Sequence, residues 1–379
     1  MSRLKVMTIV GTRPEIIKLS RVIAELDRHS EHLLVHTGQN YDYELNEVFF
    51  QELGIRAPDR FLEAAGETAA ETIGQVIART DALLAVERPD AVLLYGDTNS
   101  CLAVISAKRR RVPTFHMEAG NRCFDQRVPE EVNRRIVDHT SDVNMPLTEH
   151  ARRYLLAEGL RPETVIKTGS TMREVIDFYR PGMAASDVLA RLGLQAGEFF
   201  VVSSHREENV DEPRRLRRLL GVLSALVGRW GKRVVFSTHP RTRRRLAELG
   251  GAGELPPEVA LLPPFGLFDY LRLQQEAFCV LSDSGTLTEE AALLGFPAVM
   301  LREAHERPEG MDAGVAVMAG LSATRVLQAV ELVTAQHAAG GARSAVTDYG
   351  EPDVSRKVVR IILSHVDYVR RTAWYDESD

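Results

Sequence analysis

Cysteine is scarce in this sequence, basic residues are not in excess, and each absence excludes a class of protein. The three cysteines, Cys101, Cys123 and Cys279, are odd in number, widely spaced and outside any CxxC pattern, so we predict reduced thiols in a cytoplasmic protein. Lysine and arginine total 47 against 53 aspartates and glutamates, which gives a net charge of −6. Because nucleic-acid-binding proteins usually carry a basic excess, we expect no nucleic-acid partner.

Long apolar segments are also absent. No run in the sequence approaches the ~18–20 apolar residues of a membrane-spanning helix, so we expect no membrane association. The first residues, MSRLKVMTIVG, enter a predicted strand within a few positions, and we therefore expect no signal peptide. With 44% hydrophobic and 26% charged residues, the composition is that of an ordinary globular protein and excludes a disordered or fibrous chain.

What the sequence does contain is an alternation of short apolar runs with longer amphipathic stretches. This alternation predicts an α/β fold with parallel sheets covered on both faces, and a length of 379 residues predicts two domains. We place a Rossmann-like domain at residues 1–170, a second at 171–355, and a last helix at 356–379 that packs back on the first domain. A linker is expected near 169–185. Two doubly wound sheets facing a cleft would bind ligands at the carboxyl ends of their strands.

The strands themselves are predicted from the apolar runs. They are expected at Lys5–Val10, Leu33–Thr37, Ala91–Tyr95, Thr114–Met117, Asp142–Met145 and Val165–Thr168 in the first half, and at Phe199–Ser204, Val234–Ser237, Ala260–Leu262, Cys279–Leu281 and Ala298–Leu301 in the second.

The first strand is followed by the turn Gly11-Thr12-Arg13-Pro14-Glu15 and then a helix. Gly11 permits a tight turn, and Arg13 at a helix start is well placed for an anionic ligand. The turn is not GxGxxG, so the dinucleotide fingerprint is absent. A plain strand–turn–helix with a surface arginine explains the turn equally well.

Three carboxylates, Asp97, Glu118 and Glu130, lie just after predicted strands or at the start of the next helix. Such a set suits general acid–base chemistry at carbon, because one group takes a proton and another returns it. Each has an ordinary alternative: Asp97 as a helix cap, Glu118 paired with Arg122, and Glu130 paired with Arg134 on the same helix face. No HxH or HxxxH pattern accompanies these residues, so we predict no metal site.

The second half places polar residues in the same way. His205 and His239 follow successive strands, where a histidine can contact phosphate or protonate a leaving oxygen, although single histidines are more often structural. The segment Ser284-Gly285-Thr286 joins a strand to a helix, a geometry that suits a diphosphate, with Glu290 facing ribose hydroxyls and Arg307 supplying charge. A serine-capped helix is the alternative.

Seven segments, taken in order, resemble the non-hydrolysing UDP-N-acetylglucosamine 2-epimerase family. They are GTRPE at 11–15, GDT at 96–98, EAG at 118–120, PEEVNR at 129–134, HREEN at 205–209, DSG at 283–285 and ERPE at 306–309. Each motif alone is weak, but seven in register are specific. The resemblance implies a glycosyltransferase-B type fold, a UDP-sugar substrate, a homodimer and no cofactor.

The resemblance also implies a mechanism. Removal of the C2 proton accompanies anti elimination of UDP, and UDP adds back to the 2-acetamidoglycal after a proton returns to the opposite face. Matching the motifs assigns Asp97, Glu118 and Glu130 as acid/base carboxylates and His205 as the essential histidine. The residues assigned to substrate or UDP binding are Arg13, Lys18, Arg134, His239, Phe265, Ser284, Gly285, Thr286, Glu290 and Arg307, with Phe265 at the uracil.

Two segments depart from the usual family pattern. Residues 37–44 read TGQNYDYE where a Gln-His-Arg segment is usual, which puts allosteric binding of a second substrate in doubt, and residues 121–128 read NRCFDQRV. Both resemble the branch that converts UDP-2-acetamido-2,6-dideoxy-L-talose to UDP-N-acetyl-L-fucosamine for capsule or O-antigen synthesis, so we expect that substrate. UDP-N-acetylglucosamine is the alternative. A retaining UDP-sugar glycosyltransferase, a hydrolysing epimerase and a nucleotide-sugar sensor are the rival functions.

Overall fold

A computed structural model describes residues 3–38, 50–250, 255–340 and 346–376. The chain forms two compact units, the first made of Met1–Phe178 with Thr347–Asp379 and the second of Tyr179–Val346. The domain limits given above stay a prediction. Residues 39–44, which carry most of the departure from the Gln-His-Arg pattern, lie outside the described residues.

The first unit is built on a six-stranded parallel sheet. Its strands are β1 (Lys5–Val10), β2 (Glu31–His36), β3 (Arg60–Phe61), β4 (Ala91–Tyr95), β5 (Thr114–Met117) and β6 (Val143–Met145). Their spatial order is β3-β2-β1-β4-β5-β6. The chain therefore builds outward from β1 in one direction and restarts beside β1 with β4, which is the doubly wound arrangement.

The second unit repeats this plan. Its strands are β7 (Phe199–Ser203), β8 (Arg233–Ser237), β9 (Val259–Leu262), β10 (Cys279–Ser282), β11 (Ala298–Met300) and β12 (Val317–Met318), in the spatial order β12-β11-β10-β7-β8-β9. All neighbours are parallel. The predicted α/β fold with two doubly wound, Rossmann-like sheets is confirmed.

Helices connect the parallel strands. Those with described bounds are α1 (Arg13–His29), α2 (Ala69–Glu87), α3 (Val104–Arg109), α4 (Pro129–Thr140), α5 (Glu149–Ala157), α6 (Met172–Ala185), α7 (Val188–Leu192), α8 (Glu207–Val210), α9 (Pro213–Trp230), α10 (Pro240–Leu249), α11 (Leu267–Glu276), α12 (Leu287–Leu294), α13 (Pro308–Asp312), α14 (Ala323–Ala338) and α15 (Val354–Trp374). Short 3-10 helices lie at Asn99–Ala103, Pro162–Thr164 and Thr347–Tyr349.

Both faces of the second sheet are buried, which explains its near-continuous apolar strands. Along β7, Phe200 and Val202 enter the hydrophobic cluster on one face, while Phe199 and Val201 enter the cluster on the other. Alternate side chains point to opposite faces of a strand, so a two-sided core requires apolar residues at every position. On the first of these faces, α9 contributes a buried stripe at Leu216, Leu219, Leu220, Leu223 and Leu226.

The structure differs from the predicted elements in three places. Val165–Thr168 is not a strand, because only Val165 forms a bridge, to Asn144. The two-residue strands β3 and β12 were too short to give an apolar pattern. The expected linker near 169–185 is the helix α6, which contains Pro181. Its apolar residues at helical spacing are buried, and their burial outweighs the helix-breaking tendency of that proline.

In the first unit, α15 packs against α1 through a buried stripe that includes Val358, Ile362 and Val366. Across the described ranges, no helix has both the length and the apolarity needed to cross a membrane.

Gly120 is a fold position that tolerates no side chain. Its φ is +82°, and a Cβ would lie 2.4 Å from the carbonyl oxygen of Ala151. Gly159 has a similar φ of +89°, but nothing lies within 4 Å of its Cβ position. We expect Gly159→Ala to lower the free energy of unfolding by about 1 kcal/mol, and Gly120→Ala to lower it by at least ~2 kcal/mol more, because only the latter adds a backbone clash. Urea titrations of both variants measure the difference; equal costs would contradict the steric explanation.

Candidate active site

Each sheet has a switch point where the chain order reverses, between β1 and β4 in the first unit and between β7 and β10 in the second. In open parallel sheets, ligands bind beyond the carboxyl ends of the strands at such points. The loops that leave these four strands, together with the helices that follow them, carry eight of the fourteen site residues predicted from sequence.

Glu15 joins the two loops at the first switch point. Its Oε2 accepts hydrogen bonds from the backbone N–H groups of Gly11 at 2.5 Å and Thr12 at 3.1 Å, and its Oε1 accepts from the Thr98 hydroxyl at 2.5 Å. The side chain is buried, and burial raises the pKa of its carboxyl to about 7 against the opposing effect of these donors. The turn containing Arg13 and the loop containing Asp97 are thus held by one carboxyl group.

Gly11 is required where the turn crosses the neighbouring loops. A Cβ at this position would lie 1.9 Å from the Ser100 Oγ and 2.3 Å from the Thr37 Oγ1. These two hydroxyls are hydrogen-bonded to each other at 2.8 Å, so neither can move aside without losing that bond. The tight turn expected from the sequence is therefore also a point of close backbone approach.

Asp97 is not the cap of the helix that follows it. Its Oδ2 accepts a hydrogen bond from Arg134 Nε at 2.7 Å, while the Thr98 hydroxyl accepts from the Ser100 N–H at the start of the 3-10 helix. Arg134 also donates to Glu131 at 2.9 Å. Glu131 is fully buried, and although burial raises the pKa of its carboxyl, hydrogen bonds from the Cys123 N–H and Arg134 outweigh burial and lower it.

Glu118 lies at the end of β5 with two donors on one oxygen. Its Oε2 is 2.6 Å from Lys18 Nζ and accepts from the Tyr95 hydroxyl at 2.7 Å. Lys18 is almost fully buried, whereas the Glu118 side chain keeps 12% of its surface exposed. The backbone of Glu118 is left-handed, with φ +61°, a conformation that costs a non-glycine residue roughly 1–2 kcal/mol.

A buried network of charged residues, centred on Asp138, holds the backbone that follows Glu118. Asp138 accepts from the Gly120 N–H and from Arg122 at 2.7 Å, and it lies 2.9 Å from His116 Nδ1. The other ring nitrogen of His116 is 2.7 Å from the Gly96 carbonyl oxygen. Burial lowers the pKa of His116, but the bond and charge of Asp138 outweigh it and raise that pKa. Arg122 pairs with Asp138 and Glu158, so the alternative pairing of Arg122 with Glu118 is wrong.

Asp283 organises the second switch point as Glu15 organises the first. This fully buried carboxylate accepts from the Ser204 hydroxyl at 2.6 Å, from the backbone N–H groups of His205 and Arg206 at 3.1 and 3.2 Å, and from Asn209 at 3.0 Å. His205 Nδ1 lies 3.3 Å from the same carboxylate, and 41% of the His205 side chain is exposed. The loops after β7 and β10 are therefore fixed to each other, with the imidazole at the surface.

The predicted diphosphate segment has the expected strand–turn–helix form. Thr286 precedes α12, and its hydroxyl lies 3.0 Å from the Ser284 hydroxyl. A Cβ on Gly285 would lie 2.5 Å from Glu306 Oε1, so a larger residue would require that carboxylate to shift. Arg302 donates to Glu306 at 2.7 Å and offsets its charge.

Two acidic residues at the start of α12 have different partners. Glu289 accepts from Arg307 at 2.9 Å, and both side chains are buried. Glu290 accepts from Gln274 Nε2 at 2.7 Å and is 7% exposed. Arg307 thus pairs with Glu289 of α12, and Gln274 of α11 orients the Glu290 carboxylate.

The remaining predicted residues lie as follows. Glu130 is half-buried in the first turn of α4, and Arg13 is half-buried at the start of α1. His239 precedes α10 and its ring centre is 6.2 Å from that of His205. Phe265 packs in part against the core of the second unit. No group of three or more His, Cys, Asp or Glu residues suited to a metal ion occurs within the described residues.

Sequence reasoning missed four residues of these clusters: Glu15 and Asp283 as loop clamps, Glu131, and Tyr95. Asp283 carried a usable signal, because it follows a strand directly as a polar residue, just as Glu118 does. Tyr95 is the one polar side chain in the strand Ala-Val-Leu-Leu-Tyr. Glu131 was passed over because the sequence does not show which of two adjacent glutamates faces inward.

Two doubly wound sheets with polar clusters at both switch points define an α/β enzyme built from Rossmann-like domains of the glycosyltransferase-B type. A family model described as UDP-N-acetylglucosamine 2-epimerase matches residues 24–363. The chain belongs to this family and is an isomerase, as the seven motifs predicted.

Individual relatives agree with this assignment. The chain is similar to the UDP-N-acetylglucosamine 2-epimerase of Rickettsia bellii, with 56% identity, a TM-score of 0.93, and 99% of this chain and 100% of that chain covered. It is similar to the Methanocaldococcus jannaschii UDP-GlcNAc 2-epimerase in complex with UDP-GlcNAc and UDP, with 31% identity, a TM-score of 0.89, and 95% and 100% covered. A Pseudomonas aeruginosa relative, UDP-2,3-diacetamido-2,3-dideoxy-D-glucuronate 2-epimerase, is 34% identical over 332 residues, which are 86% of this chain and 91% of that protein.

The buried Glu15 makes stability depend on pH in a defined direction. With a pKa of about 7 in the folded state and 4.5 in the unfolded state, the native protein retains a proton that the unfolded chain has lost. The contribution of Glu15 to the free energy of unfolding therefore falls by roughly 3 kcal/mol as the pH rises from about 4.5 to 7, and it is constant above pH 7. We expect Glu15→Gln to remove this fall, measured by urea unfolding at pH 5 and pH 7.5.

Glu71 provides the matched control, because it holds the same capping position at the exposed start of α2. Glu71→Gln should leave the pH dependence close to that of the original protein. If the free energy of unfolding changed with pH in the same way for Glu15→Gln and for the original protein, Glu15 would not be protonated in the native state near neutral pH.

Proposed function

We propose that this chain inverts C2 of UDP-2-acetamido-2,6-dideoxy-L-talose and so forms UDP-N-acetyl-L-fucosamine. UDP-sugar 2-epimerase activity follows from the family; the particular sugar is our proposal. The observation that carries the chemistry is the pair of carboxylates at the ends of adjacent strands. Tyr95 of β4 and Met117 of β5 are register partners, so Asp97 and Glu118 leave the sheet next to each other.

The proposed reaction begins with proton removal at C2. A carboxylate of the first unit, Asp97, Glu118 or Glu130, takes this proton while the C1–O bond to UDP breaks, which leaves a 2-acetamidoglycal and UDP. A second carboxyl group, which is protonated, then delivers its proton to the opposite face of C2, and the UDP oxygen re-forms the bond at C1. The reaction is redox-neutral, and general acid–base catalysis of this kind requires two groups in opposite protonation states.

Leaving-group stabilisation is assigned to residues that can oppose the charge of UDP. In the second unit, Ser284, Gly285 and Thr286 would hold the diphosphate at the start of α12, where the helix dipole favours an anion. His205, fixed beside Asp283, would donate a proton or hydrogen bond to a phosphate oxygen. Arg13, Lys18, Arg134, His239, Phe265, Glu290 and Arg307 complete the proposed substrate-binding set.

The choice of sugar rests on the loop at residues 121–128. The names of two relatives differ in the sugar: the Rickettsia bellii protein is named for UDP-N-acetylglucosamine and the Pseudomonas aeruginosa protein for UDP-2,3-diacetamido-2,3-dideoxy-D-glucuronate. In this chain, Glu131 accepts from the N–H groups of Cys123 and Phe124 and thereby ties the divergent loop to Arg134 and Asp97. A change in this loop can therefore reach the acid–base group. UDP-N-acetylglucosamine is the second candidate, favoured by the name of the 56% identical Rickettsia bellii protein.

The rival functions differ in what they produce. A retaining glycosyltransferase needs an acceptor and makes no use of the carboxylates of the first unit, a hydrolysing epimerase releases UDP and free sugar, and a sensor binds without turnover. A cytoplasmic location and a homodimer stay predictions.

Proton NMR in D₂O tests the substrate directly. The protein is incubated in separate tubes with UDP-2-acetamido-2,6-dideoxy-L-talose and with UDP-N-acetylglucosamine. We expect deuterium at C2, a retained UDP linkage and the C2 epimer in the first tube, because the group that protonates C2 from the opposite face carries a deuteron taken from the solvent. Turnover only in the second tube would replace the proposed sugar by N-acetylglucosamine, and free UDP with reducing sugar would favour hydrolysis.

Neutral replacements test the acid–base assignment. Glu118→Gln and Asp97→Asn keep the side-chain size but remove the proton-accepting oxygen, so we expect turnover to fall at least ~100-fold while UDP binding survives. Glu163→Gln, which alters an exposed ion pair with Arg161, is the matched control. Turnover and UDP affinity, from NMR and titration calorimetry, are compared for all three. Normal epimerisation by both site variants would eliminate the assignment.

A further inference from the structure

Tyr95 contacts the Glu118 carboxylate and lies outside the seven motifs, directly before the GDT segment at 96–98. It is the last residue of β4, its side chain is 2% exposed, and its hydroxyl donates to Glu118 Oε2 at 2.7 Å. Lys18 Nζ donates to the same oxygen at 2.6 Å and lies 5.6 Å from the centre of the Tyr95 ring. The phenol and the ammonium therefore converge on one carboxylate oxygen from two different elements.

We propose that Tyr95 is a positioning residue for the epimerase reaction: with Lys18, its hydroxyl orients the Glu118 carboxylate and holds it in the ionised form that accepts the C2 proton. This inference rests on the proposed function.

Orientation follows from the geometry. Glu118 comes after the strand in a left-handed conformation, so the neighbouring ladder does not fix its side chain. Lys18 alone is a point charge at the end of a flexible stem and defines a direction poorly. A phenol on a rigid ring at a buried strand end adds a second, fixed direction, and two donors on one oxygen restrict rotation of the carboxylate.

Ionisation follows from the same contacts. A hydrogen bond donated to a carboxylate stabilises its charged form, and so does an adjacent cation. Two titratable groups from other elements face Glu118, the Lys18 ammonium from α1 and the Tyr95 hydroxyl from β4. From its own strand, His116 is turned toward Gly96 and Asp138, and from α4, Asp138 accepts from the Gly120 N–H. Removing the phenol hydroxyl thus removes a donor to Oε2 and leaves the cation in place.

A purely structural role for Tyr95 makes a different prediction. If the hydrogen bond only stabilises the fold, loss of the hydroxyl lowers the unfolding temperature and leaves the pH profile of turnover unchanged. If Tyr95 positions Glu118, the pH profile moves.

The test is Tyr95→Phe, which keeps the ring and deletes the hydroxyl. We expect the acidic limb of the kcat profile to move to higher pH by about one unit, the size expected for one charge-assisted hydrogen bond, with UDP affinity unchanged within about twofold. The substrate is whichever UDP-sugar the original protein turns over. Tyr349→Phe, which deletes a buried hydroxyl elsewhere in the first unit, is the matched control and should leave the profile in place.

A second readout is independent of turnover. Carbon NMR of protein labelled at glutamate Cδ follows the Glu118 carboxyl, identified by the signal that Glu118→Gln removes. Its titration midpoint should be higher in Tyr95→Phe than in the original protein. Equal midpoints, or an unmoved acidic limb, overturn the inference. An original protein inactive on both sugars, with midpoints that still differ, would remove the proposed function and leave the control of Glu118 by Tyr95 standing.

Discussion

A buried carboxyl group that bonds the backbone of strand-end loops is the interaction on which the rest of this structure depends. Glu15 does this at the first switch point and Asp283 at the second, although the two residues occupy different positions in their loops. A buried carboxyl is costly unless its oxygens are hydrogen-bonded, and here the donors are N–H and hydroxyl groups of loops that need partners themselves. Each group therefore satisfies several loop donors at once and prevents the paired loops from moving independently.

The same requirement, that a buried polar group has a partner, explains how charged residues are accommodated at the first switch point. Arg134 bridges Asp97 and Glu131, and Lys18 bonds Glu118, so these five charged side chains have opposite partners. Removing one partner of such a pair leaves an uncompensated charge, which is more damaging than losing the pair as a whole. Asp97 and Glu118, the proposed acid–base residues, have little freedom to reorient when they are held in this way, and directed proton transfer requires such fixed positions.

The sequence was sufficient to predict those strands whose burial is visible in the local pattern of residues. The strands β1, β4 and β5 were predicted with their observed bounds because they are buried almost throughout and are rich in apolar and β-branched residues. The edge strands β3 and β12 were not, because two residues have no periodicity. Among site residues, Glu131 and Tyr95 were missed because their importance comes from tertiary contacts, with Arg134 and Glu118, that no local pattern encodes.

The left-handed backbone at Glu118 has a consequence for the history of the chain. Glycine or asparagine would relieve the conformational cost at this position, so stability alone favours their appearance there. A related chain that no longer needed a carboxylate at this position would be expected to acquire glycine or asparagine there. It would gain folding stability and lose the proposed activity. In the proposed function, the carboxylate at position 118 is thus kept at the expense of folding stability.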